Sequence, residues 1–176
     1  MTNRKLIIIL GPTAVGKTDY SIEMALKYES PIISCDSRQI YKEMTIGTAV
    51  PSAEQLSAVQ HYFIHSHTVE QLYTAGKYEL EALDLINRLF AEGHETLVMA
   101  GGSGFYVDAL VNGLDDFPSA DLKLRDELMA RLREEGVESL RMDLQKLDPE
   151  SYATIDVANG QRVVRALEVC LMRSEE

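Results

Sequence analysis

Eight consecutive residues carry the clearest chemistry in this chain. Gly11-Pro12-Thr13-Ala14-Val15-Gly16-Lys17-Thr18 fits the pattern G-x-x-x-x-G-K-[ST]. Glycines at its ends let the backbone wrap tightly, so that successive N–H groups converge on phosphate oxygens. A helix starting behind the loop would add the positive end of its dipole. Lys17 supplies a mobile positive charge for an outer phosphate, and Thr18 a hydroxyl that can sit on Mg²⁺. The pattern specifies a phosphate chain and leaves the reaction open.

A second group follows at Asp36-Ser37-Arg38-Gln39-Ile40-Tyr41. A carboxylate here can serve as a general base, a metal ligand or an ordinary helix cap. Ser37, Arg38 and Gln39 can hydrogen-bond a polar partner, and Tyr41 can stack or pack. A third group, Gly101-Gly102-Ser103-Gly104, permits close backbone approach to a ligand, with a donor at Ser103. His61, His65 and His67 lie close together, but no neighbouring carboxylate or thiol completes a metal set, so they read as structural or surface residues.

These groups need elements to hold them. Lys5–Leu10 reads as a buried first strand running into the phosphate loop, and Thr18–Tyr28 as a helix with Ile22, Ala25 and Leu26 at helical spacing. Pro31–Cys35 reads as a second buried strand ending at Asp36. Strand ends of this kind, in open α/β sheets, are where ligands bind. Ser52–Val59 is a short helix with a capping box of Ser52 and Gln55. Thr74–Ala91 is a longer amphipathic helix with Leu80, Leu83, Ile86, Leu89 and Phe90 on one face, stopped by Gly93. Glu95–Ala100 is a third strand that delivers the Gly101-Gly102 loop. Strands alternating with helices predict a parallel sheet covered on both faces.

After Gly113 the pattern changes. Leu114–Ala120, with Pro118 and Ser119, reads as a linker. Beyond it the chain is charged and helical, with a stripe of Leu122, Leu124, Leu128 and Leu132 broken at Gly136. A second helix runs to Leu147, Asp148-Pro149 starts another, and Arg162–Met172 is the last. The division expected is a core over 1–113, a helical insertion over 114–158, and the start of a return to the core over 159–176.

The 176 residues are 45% hydrophobic, enough for one substantial core and a small second lobe. No apolar run is long enough to span a bilayer, and the N-terminal stretch lacks the length and cleavage site of a signal peptide. Two distant cysteines suit a reducing cytoplasm rather than a disulfide framework. A formal net charge of −11 argues, as a global sum, against nucleic-acid binding. Local basic groups do occur: Arg125, Arg131 and Arg133, then Arg162 and Arg165. Each is more simply a helix-face cation paired with a nearby acid.

Taken in order, GPTAVGKT, DSRQIY with MTIGTAVP, AGGSGFY and QRVVRALEV resemble the tRNA dimethylallyltransferase family over Leu6 to Val169. The DSRQIY and QRVVRALEV stretches are far more specific than the phosphate loop, which many NTPases share. The resemblance implies a P-loop kinase-like three-layer α/β/α core with a helical insertion domain. It implies transfer of a dimethylallyl group from dimethylallyl diphosphate to N6 of the adenosine 3′ of the anticodon in tRNA, with Mg²⁺. By the same resemblance Gly11, Pro12, Thr13, Ala14, Val15, Gly16, Lys17 and Thr18 hold the diphosphate. Asp36 is the general base, with Lys17 and Ser103 beside it in catalysis, and Ser103 stands where the family usually has Thr. Asp36, Ser37, Arg38, Gln39, Ser103, Arg125 and Ala158, Asn159, Gly160, Gln161 and Arg162 match tRNA-contacting positions.

Where the family often reads Pro-Asn-Asp-Pro-Gln-Arg, this chain has Val157-Ala158-Asn159-Gly160-Gln161-Arg162, which removes side-chain contacts at Ala158. Family members continue well beyond the RALEV stretch, so the expectation is an N-terminal portion whose remainder completes the core. The protein is expected to act as a monomer. An adenylate isopentenyltransferase, a small-molecule kinase and a non-enzymatic RNA-binding module are the competing readings.

Overall fold

The computed structural model describes residues 4–114 and 121–173, without the side chains of Leu122 and Arg173. Beyond Leu114, the expected linker lies outside the described residues. The chain divides into two compact units, 1–114 and 115–176.

The first unit is built on a parallel sheet. β1 (Lys5–Leu10), β2 (Ile32–Ser34), β3 (His61–Tyr62) and β4 (Thr96–Gly101) lie in the order β1-β4-β2-β3. Side chains alternate across a strand, and this sorts the core into two layers. Leu6 and Ile8, Ile33 and Cys35, Leu97 and Met99 face one side. There they pack against α3 (Ala75–Ala91) and α4 (Gly104–Asn112). Ile9, Ile32, Val98 and Ala100 face the other side, against α1 (Lys17–Lys27) and Val59 at the end of α2 (Ala53–Ala58). The architecture is thus helix, sheet, helix.

Three expectations about faces need correction. β1 was expected to be buried, yet its residues are half-buried or exposed, because β1 is the edge of the described sheet. In α3 the buried stripe is Tyr78, Ala82, Leu85, Ile86 and Leu89, while Leu80 is 70% exposed. Tyr78 decides this rotation: its ring stacks on Tyr106 of α4 at 4.3 Å, and its hydroxyl donates to the Ser34 carbonyl at 3.0 Å. Leu26 of α1 is likewise exposed, whereas Ala25 is buried. The two-residue strand β3 and the helix α4 are elements that the sequence pattern alone did not announce.

The second unit contains α5 (Leu122–Glu135), α6 (Val137–Leu147), α7 (Pro149–Thr154) and α8 (Gly160–Arg173). Leu128, Leu140, Leu144, Val163, Val164 and Leu167 form its core. Asp121 caps α5 through its carboxylate, and Asp148 caps α7 with Pro149 in the first turn. The expected boundary at 158 does not separate α8 from these helices, because Val163, Val164 and Leu167 pack directly against α5 and α6. Glu168 of α8 is fully buried in this unit and accepts from Arg125 Nε and Nη2 at 3.1 and 2.7 Å. Arg165 Nη1 lies 3.0 Å from the same oxygen.

Candidate active site

The carboxyl ends of β1, β2 and β4 converge on one cleft of about 250 Å³. Its walls include Thr13, Lys17 and Thr18 from the phosphate loop, Asp36 after β2, and Gly101 after β4. The phosphate loop turns from β1 into α1 through Ala14 (φ 68°) and Gly16 (φ 86°), both left-handed. Gly16 meets that demand without strain; Ala14 adopts it at a cost that a tight loop must hold in place. Lys17 folds its ammonium back onto the Pro12 carbonyl of the same loop.

The Asp36 carboxylate is fixed on one side only. Its Oδ1 accepts the backbone N–H groups of Arg38 at 2.9 Å and Gln39 at 3.2 Å, closing a turn after the strand. A methyl group placed on Gly102 would meet Asp36 Oδ2 at 3.6 Å and the Gly11 carbonyl at 3.8 Å. Three loops therefore meet here, with a carboxylate oxygen beside the phosphate loop. Gly101 is held tighter still: a Cβ there would lie 2.5 Å from the Cys35 carbonyl carbon and 2.6 Å from its oxygen. Ser103 ties the second glycine loop to the Asp36 turn. Its N–H donates to the Cys35 carbonyl at 3.1 Å, and its Oγ accepts from the Ser37 N–H at 2.9 Å.

Gln39 contributes structure as well. Its amide donates to the carbonyls of Thr48 and Ala49 at 3.0 and 2.9 Å, pinning the IGTA loop to the cleft wall. Gln55 of the capping box reaches across to Asp19 Oδ1 at 2.7 Å. The cleft also takes in Ser21, Ile32, Ser34, Thr48, Ala49, Pro51, His61 and Ile64. Sequence reading missed these as site residues. The one signal available was the period-two spacing of Ile32, Ser34 and Asp36, which puts all three on one face.

Of the three histidines, His61 reaches the cleft. Burial lowers its pKa below the usual imidazole range, and Nδ1 stands 2.8 Å from the Val59 carbonyl. His67 instead pairs with Glu81 at 3.3 Å, next to the Tyr73 hydroxyl that donates to the same carboxylate. Burial and the neighbouring Asp36 charge push the Cys35 thiol up to about 12, so it is an inert apolar filler below the site.

The remaining residues singled out in the sequence lie in the second unit. Arg125 is engaged by Glu168. Asn159 Oδ1 accepts the N–H groups of Gln161 and Arg162 at 3.1 and 3.3 Å, starting α8, and a Cβ on Gly160 would lie 2.8 Å from Leu132. The Ala158-Asn159-Gly160 departure thus has a local structural use. Arg162 is exposed, 4.0 Å from Asp156.

A family model described as IPP transferase matches residues 39–176. The tRNA dimethylallyltransferase 2 of Azobacteroides pseudotrichonymphae genomovar. CFP2 is 48% identical over 169 residues, covering 96% of this chain and 55% of that protein. The tRNA dimethylallyltransferase 1 of Bacteroides thetaiotaomicron is 44% identical over 167 residues, covering 95% and 54%. The full-length tRNA isopentenylpyrophosphate transferase structure from Bacillus halodurans matches with a TM-score of 0.60 at 38% identity, covering 94% of this chain and 55% of that one. A eukaryotic dimethylallyltransferase captured acting on tRNA shares the fold, with a TM-score of 0.75 at 24% identity over 98% of this chain and 44% of its own. The chain spans about half the length of the curated relatives it matches.

Proposed function

Since the chain belongs to the IPP transferase family, we propose that it carries the catalytic core of an enzyme that moves a dimethylallyl group from dimethylallyl diphosphate to N6 of the adenosine 3′ of the anticodon in tRNA. The observation that carries this reading is one cleft lined by both the phosphate loop and Asp36. The loop from Gly11 to Thr18 takes the diphosphate, with Lys17 leaving the Pro12 carbonyl to meet it. As the C1–O bond of the donor breaks, the electron pair leaves with the diphosphate. The N6–C1 bond forms, and the N6 proton passes to Asp36 Oδ2. Backbone N–H groups and Lys17 stabilise the charge that develops on the leaving group. Ser103 orients the Asp36 turn through Ser37.

Mg²⁺ fits the donor set. Thr18 and Asp19 bring a hydroxyl and a carboxylate to the same cleft, and Mg²⁺ takes hard oxygens, one or two carboxylates with substrate phosphates and water. Thr18 would hold it, and the ion when bound offsets the diphosphate charge. The second unit is the part we assign to gripping tRNA, through Arg125 and the Ala158–Arg162 stretch, with Ser37, Arg38 and Gln39 contacting it from the first. The adenosine is flipped into the cleft, since a stacked base hides its amino group. The enzyme works as a monomer in the cytoplasm; the described residues contain no helix long and apolar enough to cross a membrane.

The test is to incubate the full-length protein with dimethylallyl diphosphate, Mg²⁺ and unmodified tRNA, then weigh the digested nucleosides. A prenyl-sized gain on tRNA adenosine and none on AMP is expected. A gain on AMP alone would transfer the assignment to an adenylate prenyltransferase, and ATP turnover without prenyl donor to a kinase.

A further inference from the structure

Ser34 stands out among the residues lining the cleft. It is the last residue of β2, only 3% exposed, and its Oγ has no hydrogen-bond partner. Its carbonyl accepts from the Tyr78 hydroxyl, and the residue stands opposite Ala100 of β4 in the sheet. Two other small hydroxyls of the cleft are, by contrast, engaged. Ser21 Oγ donates to the Thr18 carbonyl at 2.8 Å, and Thr48 Oγ1 to the Met44 carbonyl at 2.6 Å. A hydroxyl left unmet in a packed interior is costly, and an alanine there would fill the position without that cost.

The position of Ser34 says what would meet it. Ile32, Ser34 and Asp36 share the face of the sheet that carries α1, so Ser34 lies beneath the start of that helix. Lys17, Thr18 and Asp36 line the same cleft. A serine hydroxyl turns through its staggered χ1 positions without moving the strand. We propose that Ser34 is a further binding residue of this cleft, donating a hydrogen bond to an oxygen of the Mg²⁺–diphosphate group. That oxygen belongs either to the diphosphate or to a water on the ion. The inference rests on the reading of the cleft as the diphosphate site, and it adds a contact from the floor to those of the loop.

The experiment compares wild type with Ser34→Ala and Lys17→Ala in the full-length protein, titrating inorganic pyrophosphate by calorimetry with Mg²⁺ and again with EDTA. Melting of each ligand-free protein is recorded alongside. Ser34→Ala is expected to weaken pyrophosphate binding roughly tenfold, the scale of one hydrogen bond to a charged group. Its ligand-free melting temperature should stay level or rise, because the variant loses an unmet hydroxyl and no contact. Weakening in both titrations assigns the bond to the diphosphate; weakening with Mg²⁺ alone assigns it to the ion's water. Unchanged affinity in both, whatever the melting temperature, overturns the role of Ser34 while leaving the cleft reading intact. Failure of wild type itself to bind pyrophosphate overturns both, and in that case Lys17→Ala gives the same blank trace.

Discussion

At the scale of single residues, the division of labour inside the Asp36 carboxylate has a kinetic consequence. Oδ1 is occupied by two backbone N–H groups, so in the proposed mechanism the reactive role falls to Oδ2. Asp36→Asn keeps an oxygen for those N–H groups and removes only the base. The turn should survive, and kcat should fall by about 10²–10⁴ with little change in melting temperature; near-normal kcat would remove Asp36 from the mechanism. His61 gives a pH signature. Its pKa is lowered by burial, so the folded protein binds its proton less readily than the unfolded chain does. The associated stability is complete above the unfolded value, about 6.5, and is lost as pH falls below it. Urea midpoints measured between pH 7.5 and 5 should decline, and His61→Gln should flatten part of that decline. An equal decline in the variant would assign it to other groups.

At the scale of elements, the close approach of the β2 and β4 ends is the tightest constraint on the site. Gly101→Ala would press a methyl group into the Cys35 backbone, with a cost of about 3 kcal/mol or more. Denaturant unfolding should show that loss, and the proposed prenyl transfer should fall with it because Asp36 sits one residue beyond. Much of this frame was legible in the sequence. β1, β2 and β4 are short apolar runs that stop at glycine or aspartate, α1 follows the phosphate loop, and Ser52 and Gln55 spell the cap that α2 has. What could not be read depends on partners distant in sequence. β3 is two residues long and exists because Ile32 and Ile33 pair with His61 and Tyr62. The buried face of α3 is set by the stacking of Tyr78 on Tyr106, which leucine spacing does not encode. Gln39 offered itself as a contact for a polar partner, but its second role, clamping the loop nine and ten residues further along, was not legible.

At the scale of the whole molecule, charge limits how the proposed tRNA substrate could be held. Residues 1–114 carry eight basic and thirteen acidic side chains, and residues 115–176 nine and fifteen. Neither unit is a cationic surface in sum, so the proposed binding would rest on a few placed contacts. The affinity of the full-length protein for tRNA should then fall shallowly with salt, by roughly two to three log units per tenfold change, as for three or four phosphate contacts on single strands. A slope several times steeper would point to a basic surface elsewhere in the protein. Arg125 is the proposed contact whose two roles must be separated. Removing it leaves Glu168 buried with Arg165 alone, a loss of about 2 kcal/mol. Adding Glu168→Gln to Arg125→Ala should restore most of that stability, as read by urea unfolding. If Arg125 also touches tRNA, the double variant will remain weak in tRNA binding; full recovery of both would make the arginine purely architectural. The two crowded glycines, finally, differ in how evolution can pass through them. At Gly160 the obstacle is the tip of a leucine side chain, so a lineage that first shortens Leu132 can later replace the glycine. At Gly101 the nearest obstacles are the Cys35 carbonyl carbon and oxygen, which every amino acid possesses. Trimming residue 35 therefore opens no route around Gly101, and a selection for second-site rescue of Gly101→Ala should return true revertants or changes that shift a strand.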